Sequence, residues 1–128
     1  MGLFSGLGTF FRKSEAAGLV QSFLTMQLDA GPRAADPARL ARRLVRTLWN
    51  TKPELFATPS GERPDKISVA AAALAFGVLG EEDEHTQGAL RRSLGQVLAE
   101  IESNAARYAL NAMDQQLLDG ATRVYRTA

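Results

Sequence analysis

The chain has 128 residues, 15 Lys and Arg against 14 Asp and Glu, a formal net charge of +1, 45% hydrophobic residues and 23% charged. That composition excludes wholesale disorder, and the near-neutral total argues against a protein devoted to coating nucleic acid. With no cysteine there is no disulfide, no thiol nucleophile and no zinc site built on thiolates.

The length suits one domain that buries a core without metals or disulfides. The lack of cysteine fits a reducing compartment. The strong excess of Arg over Lys matches GC-rich bacterial coding, so a bacterial, cytoplasmic protein is expected. The apolar N-terminal stretch precedes Arg12-Lys13, the reverse of a secretory signal, and Gly6 stands where a myristoylation pattern needs Ser or Thr. The longest apolar run, Ile67 to Gly80, is shorter than the roughly 20 residues that span a bilayer. No transmembrane helix is expected.

Residues 1–13 stand apart from the rest. Glycines 2, 6 and 8 are interleaved with Leu3, Phe4, Leu7, Phe10 and Phe11, so this segment is not expected to form a robust helix alone. From Ser14 the spacing becomes helical to about Leu28, through Leu19, Val20, Phe23 and Leu24, and Gly31-Pro32 ends it. Asp36-Pro37 opens a second helix as N-cap and first helical residue. Its apolar face is Leu40, Leu44, Val45, Leu48 and Trp49, and Asn50 to Pro53 closes it. Pro53 to Phe56 suits a short turn, and Thr58 to Pro64 reads as an exposed loop. Asp65 caps a third helix, with Gly80 as its stop. It carries no polar face after Ser68, and a helix apolar all round is a buried one. Glu81 to Glu84 follow at once, acids suited to the positive end of a helix dipole. The fourth helix carries Leu90, Leu94, Val97, Leu98 and Ile101, and Ser103-Asn104 is a candidate break. The last presents Leu110, Met113, Leu117, Leu118, Ala121, Val124 and Tyr125. No alternating run suggests a strand. The expected fold is an all-α, single-domain bundle of about five helices around a buried Ala-rich central helix, Ile67–Leu79. Residues 14–128 are expected to form that bundle, with residues 1–13 as an apolar, aromatic anchor or docking arm.

Two features carry the candidate partner-binding residues. Arg39, Arg42, Arg43 and Arg46 share one helix face, and segment 36–53 sums to +4 from five basic residues and Asp36. Guanidinium groups at helical spacing can track phosphates or dock an acidic surface, including this chain's own Glu81–Glu84. No helix-turn-helix pattern accompanies them. In the N-terminal segment, Phe4, Leu7 and Phe11 share a face if helical, with Leu3 and Phe10 beside it. Together with Arg12-Lys13 they suit an anionic membrane surface, a groove on a protein partner or second copy, or the chain's own core.

Catalytic chemistry is poorly represented. Glu82 and His85 have the Glu-x-x-His spacing of a weak metal candidate. A di-metal carboxylate centre needs a second such pair and two further glutamates, which only a symmetric dimer could approach. No nucleophile elbow, phosphate-cradling loop or dinucleotide fingerprint appears. The expected function is that of a non-enzymatic interaction protein: an adaptor, assembly factor or small subunit acting through apolar helical surfaces. It would have no cofactor or small-molecule substrate, and a protein partner or homo-oligomer is expected. The alternatives are a nucleic-acid-binding protein using the arginine face and a peripheral protein at the inner membrane held by residues 1–13. A metal-dependent oxidoreductase at a dimer interface is the remote enzymatic option.

Overall fold

The computed structural model describes residues 2–27, 36–53, 64–108 and 110–127, and the side chains of its first helix from residue 14 onward. Among these residues there are five α-helices and no strand: α1 (Gly2–Gln27), α2 (Pro37–Thr51), α3 (Lys66–Gly80), α4 (Glu84–Ser103) and α5 (Ala112–Thr127). The fold is all-α, as expected.

The helix starts follow from local capping chemistry. Asp36 accepts from the N–H groups of Ala38 (3.0 Å) and Arg39 (3.4 Å), and Pro37 takes the first helical position. Asp65 accepts from Ile67 N–H at 2.9 Å. At the start of α5, Asn111 and Asp114 cap each other. Asp114 N–H donates to Asn111 Oδ1 (3.0 Å), and Asn111 N–H donates to Asp114 Oδ2 (2.7 Å). The other oxygen of this fully buried carboxylate accepts from Asp65 N–H at 2.8 Å, tying the starts of α3 and α5 together.

The central helix α3 packs against each of the other four. Ile67, Val69, Leu74, Val78 and its alanines are buried, as an apolar circumference requires. Small residues let neighbours approach: a Cβ on Gly77 would come within 2.8 Å of Leu44 Cδ2 and 3.1 Å of Leu90 Cδ1. Around α3 the other helices form an arc, with α2 on α1, α1 on α4, and α4 on α5. Among the described residues, α2 and α5 form no packed interface. Among the described residues the arc is therefore open on one side.

Several expectations are corrected. α1 runs unbroken from Gly2 rather than from Ser14. Once Ala16 to Leu24 are packed as helix, each further residue costs only propagation, not nucleation, so the glycines are carried along. Leu79 is 70% exposed despite its apolar helix, because it stands in the last turn of α3, on the open side of the arc. Pro64 is buried rather than part of an exposed loop. The break at Asn104 is real: α4 ends at Ser103, one 3-10 turn covers Ala105–Arg107, and α5 begins only at Ala112. The expected stop at Gly31-Pro32, and the turn and loop at residues 54–63, lie outside the described residues.

Candidate interaction surfaces

The open side of the arc is an apolar groove of about 160 Å³. Its floor is Ala72, Ala75, Phe76 and Leu79 of α3, and its wall includes Gly120 and Val124 of α5. A void of that size in an apolar wall has room for about one aromatic ring. A Cβ built on Gly120 would meet nothing within 4 Å, so the wall is open at that point. Lys52, just beyond α2, supplies a cation at the rim. Helical periodicity alone does not single out this groove. The available signal was a glycine inside the last helix, where it costs about 1 kcal/mol relative to alanine and no backbone turn calls for it.

Phe4, Leu7, Phe10 and Phe11 fall in the first half of α1, where side chains lie outside the described ones. Phe23 O accepts from Ser93 Oγ (3.4 Å), and Gln27 Oε1 accepts from Arg92 Nε (3.1 Å), so α1 and α4 run antiparallel with Phe23 level with Ser93. Counting back along both helices, the last residue of α4, Ser103, is level with about residue 13. Residues 2–12 thus run about 16 Å past the end of α4 at 1.5 Å per residue.

Register adds a second constraint. Ala16, Val20 and Leu24 form the strip of α1 that is buried against the bundle. Carried back at 100° per residue, positions 3, 4, 7, 10 and 11 fall on a strip about 120° wide, centred about 140° round the axis from the buried one. The two halves of the helix have their apolar positions on opposite sides, which is why α1 as a whole has almost no net amphipathicity. By the same register Arg12 and Lys13 fall about 120–140° from the centre of that strip, on the side of Ala16, Val20 and Leu24.

The arginine stripe is divided. Arg39, Arg42 and Arg46 are exposed, opposite the buried Leu40, Leu44 and Leu48. Arg43 instead pairs with Glu81 at 3.2 Å, across 38 residues of chain. With the arginine side chain 63% exposed, that pair contributes at most about 1 kcal/mol.

The acidic run is also dispersed. Glu81 caps the end of α3, and Asp83 is the N-cap of α4. Asp83 accepts from Thr86 Oγ1 (2.6 Å) and Thr86 N–H (2.9 Å), and these bonds hold its carboxyl below the usual aspartate range. Glu82 precedes α4 whereas His85 lies inside it, so the pair does not project from one helix face. Among the described residues, no three His, Asp or Glu side chains gather where a metal could be held. The Ser68 hydroxyl is buried without a hydrogen-bond partner, closed off from any substrate. No described helix is long and apolar enough to cross a membrane.

Compared with known protein families, curated proteins and solved structures, the chain matches none.

Proposed function

We propose that this protein is a non-enzymatic, helix-binding interaction module whose working surface is the groove between α3 and α5. The observation that carries this reading is the gap between α2 and α5, which leaves Leu79 of a largely buried helix exposed and Phe76 half-buried among the described residues. The occupant is an amphipathic helix of a protein partner. Ala72, Ala75 and Gly120 present little side-chain bulk and let a helix axis come close. The space for one ring calls for an aromatic anchor, and Lys52 at the rim favours an acid beside it.

The test is to pan displayed, randomised helical peptides against the full chain. Enriched peptides should share an aromatic residue on an apolar helical face. They should lose at least tenfold in affinity for Leu79→Glu and for Gly120→Phe, which fills the groove. If nothing enriches, or enriched peptides bind both variants as well as the parent, the reading fails. The polyanion alternative has less support, since Arg43 is engaged by Glu81 and three exposed arginines remain on that face.

A further inference from the structure

The open face of α3 is complementary to itself: we propose that a second copy of this chain closes the groove when no partner helix fills it, with Leu79 of each copy seated in the groove of the other. This rests on the reading of the groove as a docking surface and gives it a resting occupant. Ala72, Ala75, Phe76 and Leu79 line the groove from α3 and share one helix face, within about 100° of one another. Leu79 is 70% exposed and Phe76 half-buried, whereas Ala72 and Ala75 leave room beside them. Set antiparallel about a two-fold axis between positions 75 and 76, this face pairs large with small throughout. Leu79 of one copy stands over Ala72 of the other, and Phe76 stands over Ala75. Symmetry repeats both pairs across the axis. A groove with space for about one aromatic ring accepts a leucine side chain.

Charge fits the same register. α2 runs antiparallel to α3, since Arg43 meets Glu81 and Leu44 lies against Gly77. Counted from the Arg43–Glu81 pair, Lys52 is level with about residue 72, the position that Leu79 of the other copy covers. Lys52 is exposed at the groove's rim. Gly80 of one copy is then level with residue 71 of the other. The exposed Glu82 stands two residues further on, at most about 7 Å of chain, within the combined reach of a lysine and a glutamate. The antiparallel two-fold also sets α2 opposite its own copy, so Lys52 and Glu82 meet on the same side, twice. A parallel pairing would leave them at least about 15 Å apart along the helix and stack Leu79 on Leu79. Rim charges fix register and orientation more than strength, so the pairing is weak, salt-sensitive and displaced by a better-fitting helix.

The test is the mass of the full chain by analytical ultracentrifugation across micromolar concentrations. It should rise from the 13.8 kDa of one chain toward twice that value. Leu79→Glu should weaken association at least tenfold. Lys52→Glu and Glu82→Lys, each alone, should weaken it at least threefold, because each sets like charges together at both rims. An equimolar mixture of those two variants should associate as tightly as the parent, since the mixed pair brings opposite charges together at both rims. All three positions are exposed, and melting curves like the parent's check that each variant keeps the fold. Three results would overturn the proposal: a parent that stays at the mass of one chain, a dimer that Leu79→Glu leaves intact, or charge variants that do not recover on mixing. A single-chain mass together with enriched displayed helices strikes the second copy and leaves the groove to a helix partner. A dimer with this variant pattern that enriches no displayed helix supports the second copy and strikes the helix partner.

Discussion

Single residues in α3 show how closely this core is set. Gly77 admits Leu44 and Leu90 at a distance no side chain there would allow, and earlier in the same helix the buried Ser68 holds a hydroxyl with no partner. An unmade hydrogen bond in a dry interior costs roughly 1–3 kcal/mol. Ser68→Ala removes the group, keeps the volume nearly unchanged and improves helix propensity. It should therefore stabilise the fold by about 1 kcal/mol, an upward shift of a few degrees in Tm by circular dichroism. A fall in Tm would mean that the hydroxyl has a role the packing does not reveal. The same scale describes the acidic run: Glu81 pairs with Arg43, and Asp83 accepts from Thr86.

The helices themselves differ in how they are used. α3 is buried on nearly all sides, α2 is amphipathic with arginines outward, and α1 buries the strip Ala16, Val20 and Leu24. The consequence is measurable. Leu24→Ala should cost about 2–5 kcal/mol in urea denaturation, because it opens a cavity against the bundle. Met26→Gln, at an exposed position of the same helix, should cost less than about 0.5 kcal/mol, the range of a surface change. Comparable losses at the two positions would show that both sides of α1 are packed. The start of α3 is legible from Asp65, but helical spacing carries the last helix back to Leu110 and does not single out the Asn111–Asp114 pair at its start. Nor is the attachment of the two starts legible, because it depends on Asp114 reaching a backbone N–H 49 residues away.

At the scale of the whole molecule, the arc of helices hangs on one axle. Each outer helix buries its apolar face against α3, so none has a core of its own, and loss of one uncovers the others. Trp49, the sole tryptophan, sits half-buried on α2 and reports that helix, whereas far-ultraviolet circular dichroism reports them all. The two urea transitions should coincide. Separation, with fluorescence changing first, would show that α2 detaches independently and that the open side of the arc is wider than the groove.

The amino-acid sequence by itself determined the helices, most of their caps, the burial of Ile67 to Val78 and the opposition of arginines to leucines on α2. All of these arise from chemistry within about one turn of chain: a side-chain oxygen meeting an N–H two or three residues on, or apolar groups recurring every three to four positions. Only the tertiary structure decided which side of α3 is left uncovered among the described residues and that Arg43 meets Glu81. Each of these depends on which faces of separate helices meet. That choice is made by packing between segments far apart in the chain, and no local period encodes it.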